Sequence, residues 1–428
     1  MITKQEMQKA AEYIKKHCVA DDFKISIKAD DEHLTRFAQN GITQHIGGIK
    51  QSLNLSVAFE NKTGSASGND FNENSLKNLI QTAENIARLN QPDPEYISTV
   101  AMADLPEVNN YSTETEKLSM EQMVEAISYC VKESKSFGAK ISGFSEKHLK
   151  SNFLLTKNGF EGFDKSSYYS HSMTIKKGGV ETKVSRSIKD YSKFSMENIY
   201  AELLSQFNSL KEPVMMQKGK MAVILRPAAV LNWLYYLIWV LDQRAADEGM
   251  NAFSGQLDKQ FFGENFNFSS TLSDPDLTVD KFSGSGIIAR ETDWVKNGVI
   301  KNMRTSRYYA QKANLQANST FNINVTGGNS SEQEMMQMVD RGLIINRLWY
   351  IRPIDRKTGE WTGLTRDGVQ YFENGKIKNS TTNFRWNEIL HDATKRILAL
   401  GRAEQIEHFA KVPTMLIKDF NLVDVTTF

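Results

Sequence analysis

The first half of the chain switches between a helical and a strand-like spacing of its hydrophobic positions. Apolar residues recur every three to four positions after Thr3, from about Ser75 and after Ser119, which predicts three amphipathic helices. Thr3 and Ser119 each precede a Glu or Gln by three residues, the sequence of a capping box. Between the helices, and again from Ala139 to about Ser192, the period is two, as in half-buried strands. We therefore predict helices packed on an antiparallel sheet.

Turn signals of two residues mark hairpins in both halves of the chain. Asn158-Gly159 and Gly178-Gly179 interrupt the alternating stretch, and Asn297-Gly298 and Asn374-Gly375 follow in the second half. Both residues of such a turn take a positive φ, which Gly and Asn adopt at the least cost. These positions predict antiparallel hairpins in each half.

A boundary between two domains is predicted at the segment Lys211–Lys220, which contains Pro213. We assign residues 1–212 to an N-terminal α+β domain and residues 213–428 to a C-terminal, hairpin-rich β domain. The predicted fold class is thus α+β with two domains.

The second domain contains an unusually apolar run. Pro227–Leu241 reads PAAVLNWLYYLIWVL, with no charged, His or Cys side chain. It is shorter than the roughly 20 residues that span a bilayer. Pro227 suits the first turn of a helix. We therefore predict a central helix, buried in the core of the domain and continuing to about Ala246.

Composition narrows the class of protein. The chain has 428 residues, with 52 basic against 51 acidic side chains, so nothing favours a dedicated nucleic-acid binder. The N-terminal sequence MITKQEMQKA lacks the apolar core of a signal peptide. Cys18 and Cys130, the two cysteines, lie on apolar helical faces and are predicted to be buried. We expect a cytoplasmic protein without a disulfide framework or membrane contact.

Local sequence motifs for catalysis are missing. The seven histidines show no H-x₃₋₄-H spacing, and neither C-x-x-C nor G-x-S-x-G occurs. A site assembled from residues that are distant in sequence remains an open alternative. Among the histidines, His408 is of most interest because of its position relative to the longer segments described next.

The order of seven longer segments resembles one protein family. They are Arg36–Gln44 (RFAQNGITQ), Met221–Leu237 (MAVILRPAAVLNWLYYL), Ala252–Phe266 (AFSGQLDKQFFGENF), Ala289–Lys312 (ARETDWVKNGVIKNMRTSRYYAQK), Arg341–Ile351 (RGLIINRLWYI), Asp355–Lys378 (DRKTGEWTGLTRDGVQYFENGKIK) and Pro413–Leu422 (PTMLIKDFNL). The order and spacing resemble the TldD/PmbA family, also called the modulator-of-DNA-gyrase family. Within it, the chain is similar to the PmbA/TldE-like members that lack a zinc motif.

The resemblance implies a zinc-peptidase system that works as a pair of subunits. One subunit carries H-E-x-x-x-H on the central helix and a later Cys, and its partner lacks them. The histidines would hold zinc, and the Glu would act as general base on a zinc-bound water. The corresponding positions in this chain are Tyr235, Tyr236 and Val240, and the region of the later Cys, Gly401–Val412, holds His408. We expect no cofactor here and zinc only in a partner subunit.

The resemblance also implies that the second domain holds an extended peptide along a sheet edge. Strands around Tyr308–Gln311 and Thr362–Tyr371 would supply that edge. The candidate binding residues are Tyr308, Tyr309, Thr362 and Arg366. Expected partners are an extended peptide and a metal-bearing TldD-like paralogue in a heterodimer, or a second copy in a homodimer.

The resemblance predicts a metal-free subunit of a TldD/PmbA-type metallopeptidase complex, which acts on unfolded or extended peptides and is not catalytic by itself. Two alternatives stay open: an autonomous peptidase with an unrecognised site, and a peptide-binding scaffold with no enzyme partner. Bound zinc together with peptide cleavage would favour the first alternative. A genome neighbourhood without an H-E-x-x-x-H paralogue would favour the second.

Overall fold

Two β-sheets organise the chain in a computed structural model that describes residues 2–426. The strands of the first sheet are β1 (Asp22–Ala38), β2 (Gly41–Phe59), β3 (Lys62–Gly68), β4 (Lys140–Thr156), β5 (Glu161–Lys177) and β6 (Val180–Ile188). They are antiparallel throughout, in the order β3-β2-β1-β4-β5-β6. The predicted hairpins at Asn158-Gly159 and Gly178-Gly179 are confirmed, because they join β4 to β5 and β5 to β6.

Helices cover one face of the first sheet. They are α1 (Lys4–His17), α2 (Glu73–Leu89), α3 (Thr113–Lys117), α4 (Met120–Ser136) and α5 (Met196–Ser209), with a 3₁₀ turn at Tyr191–Lys193. The capping boxes predicted at Thr3 and Ser119 are both present. Cys18 packs under α1 and α2, and Cys130 packs between α4 and the sheet. Both thiols are buried, as predicted, and burial raises their pKa to about 11 and about 12.

Successive side chains of a strand point to opposite faces of the sheet. In this sheet, the face that the helices leave uncovered differs in composition from the covered face. Ile25, Ile27 and Phe153 pack under the helices. The alternate positions of β4 and β5, which include Glu146, turn toward the second domain. The first sheet is therefore apolar toward its helices and polar toward the second domain.

The second domain is built on a mixed sheet of twelve strands. They are β7 (Pro213–Val214), β8 (Gly219–Leu225), β9 (Phe268–Ser270), β10 (Thr292–Lys296), β11 (Val299–Ile300), β12 (Ile323–Val325), β13 (Arg341–Asp355), β14 (Glu360–Glu373), β15 (Lys376–Thr381), β16 (Phe384–Ile389), β17 (Ile397–Glu407) and β18 (Ala410–Val425). Five of them, in the order β18-β8-β13-β14-β16, pair in a closed ring, because β16 also pairs with β18.

The predicted α+β class with two domains is confirmed, and so are the hairpins at Asn297-Gly298 and Asn374-Gly375. The remaining helices are α6 (Pro227–Leu234), α7 (Leu237–Val240), α8 (Gln243–Asp247), α9 (Arg307–Ala313), α10 (Glu332–Gln337) and α11 (Leu390–Thr394). Strand β7 at Pro213 already pairs with β15 of the second sheet. The boundary at residues 212/213 stays a prediction. No helix among residues 2–426 combines the length and the apolar character needed to cross a bilayer.

The apolar run forms two short helices and a third follows it, so the prediction of one continuous helix to about Ala246 was wrong. Helix α6 packs against β13 and β18, and Trp233 is fully buried there. At Tyr235 and Tyr236 the chain leaves the α-helical hydrogen-bond pattern, and α7 and α8 follow separately. Tyr235 is 38% exposed and Trp239 is 49% exposed. Leu237, Ile238 and Leu241 of the later part are also buried in the core, so its exposed side chains are the aromatic Tyr235 and Trp239.

We expect Trp233→Ala to lower the free energy of unfolding by about 3–5 kcal/mol, because it leaves a cavity in the core of the second domain. The matched variant Trp239→Ala should lower it by less than about 1 kcal/mol, since half of that side chain already faces water. Urea denaturation followed by circular dichroism measures both values. Equal losses for the two variants would contradict this division of the apolar run.

Candidate functional site

A cavity of about 360 Å³ lies where the first sheet meets α6 and the turn between β17 and β18. We call it the junction cavity. Its lining residues are Glu146, Tyr168, Ser170, Ser187, Leu231, Asn232, Tyr235, Glu407, His408 and Phe409. The cavity therefore combines carboxylates, hydroxyls and aromatic rings from both domains.

The junction cavity contains two of the four positions that the resemblance assigns to a lost metal site. Helix α6 contributes Leu231 and Asn232, and Tyr235 follows directly after the helix, four and three positions further on, so that it lies beside both. His408 lines the same cavity from the β17–β18 turn. The structure thus brings Tyr235 and His408 to one place, although they are distant in sequence.

The other two positions face a different cavity. Tyr236 and Val240 line a space of about 460 Å³ on the far side of α7, together with Trp239, Trp361 and His391. The ring of Tyr236 packs against Trp361 with their centroids 5.3 Å apart. The chain turns after α6, so the adjacent residues Tyr235 and Tyr236 line different cavities. The assignment of all four as degenerate metal positions stays a prediction.

His408 is held by a hydrogen bond and by stacking. Its Nδ1 lies 2.8 Å from the hydroxyl oxygen of Ser187. Its ring stacks on Tyr168 at a centroid distance of 4.0 Å, and Tyr168 stacks in turn on His148 at 4.7 Å. Burial lowers the pKa of His408 to about 3, so the imidazole is neutral at physiological pH. The stack fixes His408 in one orientation between the domains.

Two titratable groups at this stack, Glu407 and His148, have pKa values well above their ordinary ones. Burial raises the pKa of Glu407 to about 7, with a smaller contribution from the nearby negative charge of Glu146 and an opposing one from Ser187. Burial would lower the pKa of His148, but hydrogen bonds to Asp30, with oxygens 3.0 Å from Nδ1, and to Glu146 raise it to about 9. The two shifts have opposite physical origins, because burial dominates at Glu407 and acidic partners dominate at His148.

Reasoning from local motifs missed Glu146, His148, Tyr168 and Glu407. Glu146 and His148 lie on β4, but Tyr168 and Glu407 are distant from them in sequence, and strand pairing places Tyr168 opposite His148. A signal was present in β4, where Glu146, His148 and Lys150 occupy alternate positions of one strand. Polar residues at every second position of a long strand indicate a face that is not packed under helices.

The residues around the junction cavity do not fit a zinc centre of the H-E-x-x-x-H type. Such a centre takes two histidines from one helix face and a further protein ligand. The face of α6 toward His408 presents Leu231, Asn232 and Tyr235 instead. Within residues 2–426, no group of three or more His, Cys, Asp or Glu side chains is arranged to hold a metal ion.

The peptide-binding candidates Tyr308 and Tyr309 lie in helix α9, so the strand predicted at Tyr308–Gln311 was wrong. Ser306 caps this helix by accepting a hydrogen bond from the backbone of Tyr309. The Tyr309 hydroxyl donates to Asp247 at 2.7 Å, and its side chain is largely buried. Helical residues cannot offer the unpaired backbone that a peptide strand needs.

Thr362 and Arg366 lie in β14, which is inside the sheet. Thr362 pairs with Arg352 of β13 on one side and with Asn387 of β16 on the other. Arg366 pairs with β13, and its guanidinium lies 4.5 Å from the ring centroid of Trp349. The edge predicted at Thr362 is therefore already occupied, although a side-chain role for either residue stays a prediction.

Known proteins resemble the chain in sequence over its second half and in fold over nearly its whole length. Residues 218–424 match the family model described as PmbA/TldA metallopeptidase C-terminal domain. We found no match among curated proteins. The solved structure of TldE from Thermococcus kodakarensis has a TM-score of 0.86 to this chain at 15% identity, covering 97% of this chain and 99% of that one.

Two further solved structures share the fold. A protein named as a modulator of a DNA gyrase from Thermotoga maritima has a TM-score of 0.84 at 16% identity, covering 98% of this chain and 100% of that one. A protein named likewise from Bacteroides thetaiotaomicron has a TM-score of 0.86 at 17% identity, covering 98% and 99%. The resemblance stated from the sequence is thereby confirmed for the fold and for the C-terminal domain.

The raised pKa of Glu407 predicts a pH-dependent contribution to stability. Protonated Glu407 supports the fold below the ordinary pKa of glutamate, and this support is lost as the pH rises through about 7. The neutral variant Glu407→Gln should match the wild type near pH 4. It should be more stable by about 3 kcal/mol at pH 8.

Urea denaturation across this pH range measures the difference. Glu12→Gln is the matched control, because Glu12 is exposed on α1. A constant difference between Glu407→Gln and the wild type from pH 4 to pH 8 would contradict the assignment.

Proposed function

Since residues 218–424 belong to the PmbA/TldA metallopeptidase C-terminal domain family, we propose that this protein is the metal-free subunit of a zinc-peptidase pair. In this proposal a related, metal-bearing chain supplies the zinc chemistry, and the present chain helps to hold unfolded or extended peptides. The proposal includes a cytoplasmic location, which the sequence resemblance implies. By itself, the chain would not cleave peptides.

The chemistry of the side chains around the junction cavity is the observation that carries the proposal. The face of α6 toward His408 offers an aliphatic group, an amide and a phenol, where zinc would need imidazole, thiolate or carboxylate. His408 itself is stacked on Tyr168 and hydrogen-bonded to Ser187. These contacts suit a residue that joins two domains.

The environment of α6 supports a role that depends on shape. The helix remains packed on the ring of strands, and its buried residues Ala229, Val230 and Trp233 have no exposed surface. The aromatic residues Tyr235 and Trp239, which follow it, are partly exposed beside Phe321. Partly exposed aromatic rings are typical of protein and peptide contact surfaces. The helix can thus serve recognition without binding a metal.

We expect the purified chain to contain less than about 0.1 zinc per molecule and to leave an unfolded protein such as reduced, alkylated casein intact. Inductively coupled plasma mass spectrometry measures the metal, and gel electrophoresis follows the casein. Affinity purification of the tagged chain from its native host should recover a chain that carries H-E-x-x-x-H.

Matched variants separate a subunit role from an unrecognised active site. If the chain were an autonomous peptidase, it would cleave casein, and either His408→Ala or Glu407→Gln would abolish that activity while the fold persists. Stoichiometric zinc with cleavage by the chain alone would overturn the proposal. Purification from the host without an H-E-x-x-x-H partner, and without cleavage, would favour a peptide-binding scaffold.

A further inference from the structure

One long stretch of strand edge is unpaired in the first sheet. Strand β2 pairs with β1 along its whole length, but on its other side β3 begins only at Leu53. Among residues 2–426, no strand pairs with the outer side of Gly41–Ser52. The ten residues from Gly41 to Lys50 are all exposed. Their outward N–H and C=O groups therefore face solvent.

Apart from a β-bulge at Thr43 and the charge of Lys50 at its end, this edge lacks the features that usually protect a free strand. Native edges are blunted by charged side chains, proline, bulges or a covering helix. The segment GITQHIGGI, from Gly41 to Ile49, has no charged residue and no proline. Ile42, Ile46 and Ile49 are 45%, 43% and 50% exposed. An unprotected edge with exposed β-branched residues favours the addition of another strand.

The neighbouring space can take such a strand. A β-carbon added at Gly48 would have no atom within 4 Å, so the packing of this chain does not require glycine there. Beyond Lys50, an open groove of about 1960 Å³ runs between α1 and the segment at Asn69–Leu76. A chain laid along the outer edge of β2 from Gly41 would reach this groove at Ile49 and Lys50, which line it.

We propose that the outer edge of β2, from Gly41 to Lys50, binds an extended polypeptide segment as an added β-strand. This inference rests on the proposed peptide-binding role and names the ligand class: an unfolded segment recognised through its backbone, with uncharged or β-branched side chains beside the isoleucines. Main-chain pairing of this kind tolerates many sequences. It suits a protein that acts on unfolded peptides of varied sequence.

The size of the edge favours a peptide over a second copy of the chain. Stable protein interfaces engage about 20–30 residues on each side. The exposed edge offers ten residues, Gly41 to Lys50. A strand added there buries enough backbone for reversible binding of a peptide and too little surface for a permanent dimer.

The bound strand would extend the sheet face that leads to the junction cavity. Ile46 lies opposite Leu34, Leu34 lies opposite Glu146, and Glu146 lies opposite Ser170. Directly paired residues point to the same face of a sheet. Half of the side chains of an added strand would therefore project from the same face as Glu146 and Ser170.

Fluorescence anisotropy with the purified chain tests the proposal. The probe is a fluorescein-labelled peptide of about ten alternating valine and threonine residues with two terminal lysines, a length that matches the edge. A second probe carries N-methyl groups on all of its valines and threonines, which blocks the amides on both of its edges. We expect the unmodified probe to bind and the methylated probe to bind about tenfold more weakly or not at all.

Charge variants of the edge complete the test. The double variant Ile42→Lys and Ile46→Lys should weaken binding about tenfold or more. The matched control, Leu89→Lys with Met102→Lys, adds the same charge at two exposed positions away from the edge and should bind as the wild type does. Circular dichroism checks that both variants fold.

Three results would overturn the proposal. They are no binding by the wild type, equal binding of the unmodified and the methylated probe, and a wild-type dimer in light scattering that the edge variant dissociates, which would assign the edge to a second copy. The assay uses the chain without zinc or partner. Its failure leaves the subunit role standing, whereas zinc-dependent cleavage by the chain alone overturns that role and leaves strand addition standing.

Discussion

The alternation of side chains along the strands of the first sheet is the constraint on which the site depends. One set of alternate positions packs under α1, α2, α4 and α5, and the other set is left to meet the second domain. A shift of β4 by one residue would bury Glu146 and His148 under helices and expose Phe153. The register of this sheet thus fixes both the hydrophobic core and the polar wall of the junction cavity.

The contacts across that wall hold the two domains together. Thr182 of β6 donates a hydrogen bond to the carbonyl of Asp367, and Arg186 donates to the carbonyl of Gln405. The stack of His148, Tyr168 and His408 lies in the same interface. The packing around the junction cavity therefore rests on stacking and hydrogen bonds between side chains of the two domains.

Local sequence rules captured most of the fold and little of the site. Hairpins and capping boxes depend on residues that are neighbours in sequence, so Asn158-Gly159 and Thr3 could be interpreted directly. The break at Tyr235 could not, since the apolar residues on both sides of it, such as Leu234 and Leu237, are buried in the same core and give no local signal for it. The pairing of Glu146 with Ser170 and the approach of His408 to Tyr168 depend on register and domain docking, which no local pattern records.

The closed ring of β18-β8-β13-β14-β16 has a consequence for how the second domain forms during synthesis. Its first strand, β8, pairs with β18, which lies at the other end of the domain in sequence. Until the ribosome has released β18, α6 lacks one of the two strands against which it packs, and its apolar surface stays uncovered. Such long-range closure is slow compared with local hairpin formation. The nascent chain must therefore be shielded from aggregation over almost the entire translation of this domain.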